Sequence, residues 1–117
     1  MSDKITVYQK PTCTKCRQTL ARLTECGVEF ESINYYETPL TEAGLRELVN
    51  KLGMAPRELL RKDETLYREL ELGKRDVSDD DLIRLMVEHP DLMQRPIVVR
   101  GDKAVVARPL ENLDKLL

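Results

Sequence analysis

VYQKPTCTKCRQTLARLTECG, residues 7–27, is the stretch whose reading decides the fold. A β-branched run, Ile5 to Tyr8, breaks at Pro11. Cys13 and Cys16 follow as a C-x-x-C pair, and a helical pattern then runs to Gly27. Cys16, Leu20 and Leu23 recur at i, i+4 and i+7, which marks one face of a helix from Thr14 to Cys26. Gly27 is the expected stop. Cys13 thus falls at a strand-to-helix turn, against the helix N-terminus. Unpaired N–H groups and the macrodipole favour negative charge there. A thiolate is such a charge, so the position predicts a depressed thiol pKa and a nucleophilic sulfur. Lys10, Lys15 and Arg17 add positive charge nearby in the chain.

Working outward, Lys4 to Tyr8 reads as a buried strand and Val28 to Tyr35 (VEFESINY) as a second one with alternating polarity. A helix of about a dozen residues between them predicts a right-handed βαβ unit with parallel strands. Thr38-Pro39 punctuates the chain. Thr41 opens a helix whose stripe is Leu45, Leu48, Val49 and Leu52, with Gly53 as its stop. A helical turn follows Pro56, and Glu64 to Leu72 is a further short helix. Ser78 is a good N-cap for a helix that carries Asp79, Asp80 and Asp81 in its first turn and ends at His89-Pro90. Pro96 to Arg100 and Lys103 to Ala107 read as an antiparallel hairpin about Gly101-Asp102, with a closing helix from Leu110 to Leu117. The order is β-α-β, a helical insertion, then β-β-α. A C-x-x-C after the first strand of such a unit points to an α/β, thioredoxin-like fold with a mixed four-stranded sheet. The chain is then one domain, 1–117, with a helical insertion subdomain at about 41–89.

The chain has 117 residues, enough for one hydrophobic core without a disulfide or a metal. Charged residues are 34% of it, but the net charge is only −2, which argues against a general nucleic-acid or membrane surface. No apolar leader or stretch of 18 apolar residues is evident, so a cytoplasmic location is expected. Cysteines there are thiols by default, and a disulfide is more often catalytic than structural. Monomer is the default state.

Cys16, on the inner face of the helix, is the candidate resolving thiol for a mixed disulfide at Cys13. Cys26 reads as structural. One C-x-x-C pair, a distant third cysteine and a single histidine make no metal set. Arg61, Arg95 and Arg108 each sit at an element boundary, where a planar guanidinium can offer paired N–H donors to a tetrahedral oxyanion. On pattern alone, three solvated surface arginines is an equal reading. Pro96, opening a strand, is a candidate active-site cis-proline. His89 reads as a helix C-terminal residue, and Tyr8, Tyr35 and Tyr36 as packing residues.

The stretches ITVYQKPTCTKCRQTL, INYYETPLT, RELLRKDETLYREL, DDDLIRLMVEHPDLMQRPIVV and ARPLENL resemble the glutaredoxin-coupled arsenate reductases, a branch of the thioredoxin-like superfamily. The resemblance implies that Cys13 attacks arsenate, that Arg61, Arg95 and Arg108 bind the oxyanion, and that they cluster near Cys13. It implies no bound cofactor, glutathione as co-substrate and glutaredoxin as partner. Two positions depart from the pattern. Those enzymes carry H-N-P-x-C, whereas Gln9, Lys10 and Pro11 stand here. Cys16 replaces their usual serine, and the C-x-x-C pair is also similar to Spx-type regulators, which bind RNA polymerase. Those regulators generally lack the last arginine, and Arg108 is present. The expected function is arsenate reduction. The alternatives are a general thiol–disulfide oxidoreductase using Cys13 and Cys16, or a redox-sensing regulator of the Spx type.

Overall fold

The computed structural model describes residues 4–10, 14–107 and 110–116. Two compact units divide the chain: residues 1–39 with 95–117, and residues 40–94.

The first unit holds a four-stranded sheet of order β2-β1-β3-β4. Its strands are β1 (Ile5–Gln9), β2 (Phe30–Asn34), β3 (Ile97–Arg100) and β4 (Lys103–Val106). β1 pairs with β2 in parallel, in the register Ile5↔Phe30 to Gln9↔Asn34. It pairs with β3 antiparallel, Val7 facing Val98, and β3 pairs with β4 through Val98↔Val105. The sheet is therefore mixed, as the β-α-β…β-β order predicts. The inward residues Ile5 and Val7 join Leu23, Val98, Ala107, Leu113 and Leu116 in one buried cluster. Removing that apolar surface from water contributes roughly 1.5–3 kcal/mol for each large side chain.

Helix α1 (Thr14–Glu25) connects the parallel pair. It ends one residue before the expected Cys26, because Gly27 adopts φ 71° and closes a left-handed cap. The Val28 N–H reaches back to the Leu23 carbonyl (3.4 Å) and the Gly27 N–H to that of Thr24 (3.1 Å). The expected closing helix is a 3-10 helix, Leu110–Lys115. Asn112 Nδ2 donates to the Val106 carbonyl (2.9 Å) and Arg100 Nη1 to that of Leu116 (2.6 Å), tying this turn to the hairpin.

The second unit is helical: α2 (Glu42–Leu52), a 3-10 turn (Pro56–Leu59), α3 (Thr65–Glu69), α4 (Asp79–Glu88) and a 3-10 turn (Pro90–Leu92). Thr41 caps α2 through its hydroxyl, which accepts from the Gly44 N–H (3.0 Å), and Ser78 caps α4 by accepting from Asp81 (3.2 Å). Leu45, Leu48 and Val49 of α2 are buried, as are Leu82, Ile83 and Met86 of α4. Arg46 pairs with Asp80 (2.6 Å) and Arg84 with Glu42 (3.6 Å) between these two helices. The unit continues past the expected end at residue 89 through Gln94. The reason is an isolated antiparallel bridge, Leu60↔Met93. Arg61 N–H donates to the Leu92 carbonyl (2.7 Å) and Gln94 N–H to that of Leu59 (2.8 Å). No helix among the described residues is long and apolar enough to cross a membrane.

Candidate functional site

β1 delivers the chain to the cysteine pair. Lys10, the residue after the strand, donates its backbone N–H to Cys16 Sγ across 3.5 Å. Cys16 is fully buried on the inner face of α1, near Thr19 in the chain, which is buried as well. Its sulfur is thus held at the first turn of α1 by the backbone of the segment that leads to Cys13. Cys13 itself lies outside the described residues.

Lys10 has a second engagement. Its Nζ lies 4.9 Å from the centroid of the Tyr36 ring, within cation–π range. Tyr36 stacks on Tyr35, centroids 5.0 Å apart and planes inclined by 30°, and Tyr35 is buried. The Tyr36 N–H donates to Asn34 Oδ1 (3.0 Å), which fixes the turn after β2. Two of the tyrosines read as packing residues therefore also position the ammonium of Lys10. Arg17 is exposed, and the Lys15 side chain is not among those described.

Arg95 opens the return of the chain into the sheet. It is 8% exposed, and the Arg95–Pro96 peptide bond is cis. The Pro96 carbonyl accepts from the Ala107 N–H at 3.0 Å, so the residue before Arg108 is fixed next to the start of β3. Arg108 lies outside the described residues.

Arg61 belongs to the second unit, on the segment bridged to Leu92–Gln94. Its side chain is 15% exposed, and its Nη1 pairs with Glu64 Oε2 at 3.5 Å and its Nε with Asp63 Oδ1 at 3.9 Å. The 3.9 Å contact to Nε is too long for a hydrogen bond, and that buried atom has no hydrogen-bond partner among the described residues. Arg61 is not a solvated surface arginine, and neither is Arg95.

Cys26, just past the end of α1, is a free and exposed thiol. His89 is the C-cap residue of α4, its N–H donating to the Leu85 carbonyl (2.8 Å). Among the described residues, no three His, Cys, Asp or Glu side chains are grouped to hold a metal ion. Gln9 gave no functional signal in the sequence beyond its departure from the H-N-P-x-C pattern. In the structure it occupies the third inward position of β1, after Ile5 and Val7, where a hydrocarbon belongs.

A β2-β1-β3-β4 mixed sheet, with a helix joining its parallel pair and a cis-proline before β3, defines a thioredoxin-like α/β protein. Residues 8–116 match the model of the ArsC family, and the chain belongs to that family. It is 39% identical over 115 residues to an arsenate reductase of Neisseria meningitidis serogroup A, covering 97% of this chain and 98% of that one. It is 46% identical over 114 residues to "Uncharacterized protein YfgD" of Escherichia coli K12, covering 97% and 96%. A solved arsenate reductase from Vibrio cholerae superposes with a TM-score of 0.93 at 39% identity, over 100% of both chains.

Proposed function

We propose that this protein is an arsenate reductase that uses glutathione and glutaredoxin as reductants. The observation that carries the reading is end-to-end similarity to proteins named arsenate reductases, with Cys13, Arg61, Arg95 and Arg108 at the positions the resemblance nominates. Cys13 is the attacking sulfur, and the three arginines are the oxyanion-binding groups. The Cys13 thiolate forms an S–As bond, and one arsenate oxygen leaves as hydroxide. Guanidinium donors offset charge as it redistributes over the remaining oxygens. The thiolate of glutathione then attacks Cys13 sulfur. The S–As electron pair goes to arsenic, which leaves as arsenite, reduced from +5 to +3. The two sulfurs supply those two electrons and end as a Cys13–glutathione disulfide, which glutaredoxin reduces. Pro96 is assigned to the active site. The protein acts as a monomer in the cytoplasm and holds no resident cofactor.

One observation favours a second reading. The N–H of Lys10 donates to Cys16 Sγ at 3.5 Å, which fixes the inner sulfur at the first turn of α1. That suits a resolving thiol in a general thiol–disulfide oxidoreductase. Arsenate-dependent NADPH oxidation, coupled through glutathione reductase with glutathione and glutaredoxin supplied, tests the first reading. Turnover is expected, with loss of at least about a thousandfold in Cys13→Ser, as for removal of a nucleophile. Cys16→Ser retains it on the first reading. No turnover by fully reduced protein defeats the arsenate assignment, and a Cys16→Ser protein that reduces a disulfide substrate no further than a trapped mixed disulfide at Cys13 favours the second reading.

A further inference from the structure

Gln9 is an amide where the strand pattern calls for a hydrocarbon. It is 7% exposed, and its Oε1 is buried with no hydrogen-bond partner among the described residues. A buried acceptor without a donor is destabilising, and native structures seldom carry one without a reason. A leucine or valine would avoid that cost.

The sheet register places this acceptor. The β1–β3 register ends at Tyr8↔Ile97, and continued by one step it brings Gln9 level with Pro96. One step beyond Ile97↔Val106, Pro96 stands opposite Ala107, a step fixed by the Ala107 N–H bond to the Pro96 carbonyl at 3.0 Å. Gln9, the cis-proline and Ala107 therefore form a row across one end of the sheet, on the face that carries Val7 and Val98. In the chain, Arg95 precedes this row and Arg108 follows it, and Cys13 lies four residues after Gln9. The row lies wholly within the first unit.

We propose that Gln9 determines oxyanion specificity: its Oε1 accepts a hydrogen bond from the protonated oxygen of bound arsenate. The proposal rests on the arsenate reductase reading. Guanidinium groups only donate, so they satisfy the bare oxygens of the anion and leave an O–H without an acceptor. Arsenate keeps at least one such proton near neutral pH. Sulfate has the same tetrahedral shape but no proton, so at this position it sets lone pairs against Oε1. Rejection of this kind, by leaving a buried polar group unmatched, is stronger than rejection by size. A neutral amide also accepts the bond without the repulsion that a carboxylate would exert on an anion.

Isothermal titration of the reduced Cys13→Ser protein with arsenate and with sulfate tests this, since that background cannot form the S–As adduct. Arsenate is expected to bind at least about tenfold more tightly than sulfate. Adding Gln9→Met, similar in length but with no amide, lowers arsenate affinity about tenfold, the loss of one hydrogen bond, and does not weaken sulfate. Gln9→Leu gives the same loss of selectivity and serves if the methionine variant does not fold. Equal weakening of both anions, or no change in either, overturns the role of Gln9 while leaving the oxyanion site intact. A Cys13→Ser protein that takes up neither anion overturns both.

Discussion

Arg61 and Arg95 share a side chain and differ in almost everything that surrounds it. Arg61 stands in the helical unit with two carboxylates close in sequence, Glu64 at 3.5 Å and Asp63 at 3.9 Å. Arg95 stands at the entrance to the sheet, 8% exposed, on a cis peptide bond. The Arg61 guanidinium shares its charge with these two carboxylates. Arg95 is buried where the chain enters a central strand. Neither side chain is well solvated, so what separates them is the pair of carboxylates that offsets part of the field of Arg61. On the oxyanion-binding assignment the two should contribute unequally, and substitutions at each separate them.

The largest effect is expected at Arg95. Arg95→Ala should lower kcat/KM for arsenate about a hundredfold, the scale for removal of one well-placed donor to a developing oxyanion. Circular dichroism should show the sheet retained. Arg95→Lys keeps the charge but not the planar fork, and should recover only part of the loss. Full recovery in the lysine variant would mean that charge alone matters there.

Arg61→Ala should cost less, about tenfold in kcat/KM, because Glu64 and Asp63 offset part of the field that Arg61 presents to an anion. Steady-state kinetics of the two alanine variants side by side decide the comparison. A loss at Arg61 as large as that at Arg95 would show that the local carboxylates orient the guanidinium without weakening it.

The two units also differ in how openly the sequence announces them. Thr41, Gly53 and Ser78 mark helix ends through local chemistry, and each does so in the structure through a cap bond or a left-handed φ. The alternation Ile5, Val7 and the turn at Gly101 likewise specify strands whose pairing follows from a βαβ unit and a hairpin. What stayed hidden depends on contacts distant in the chain. The bridge from Leu60 to Met93, which extends the helical unit to Gln94, joins segments with no strand pattern of their own. The Lys10 N–H bond to Cys16 Sγ is invisible to periodicity, since it joins the end of a strand pattern to the face of a helix pattern. Gln9 was legible only as a departure from a motif, since the cost of burying its amide becomes visible only once the strand's inward face is known. The arginines were legible as boundary residues, but whether a boundary is wet or buried is a property of packing, and pattern left that even.

The smallest effect gives the finest resolution of the two arginine environments. In Glu64→Gln the side chain keeps its length and can still accept a bond from Arg61 Nη1, while its negative charge is gone. Two charges roughly 10 Å apart in water interact by about 0.4 kcal/mol, a factor of about two in binding. Glu64→Gln should therefore lower the KM for arsenate about twofold at low ionic strength, and the gain should shrink in 0.5 M salt as screening shortens its range. The same substitution placed on Arg61→Ala should give a similar change, because the carboxylate acts on the anion directly. A KM that rises in Glu64→Gln would reverse the account: the carboxylate would be holding Arg61 in its binding geometry, and the pair, not the lone cation, would be the working unit.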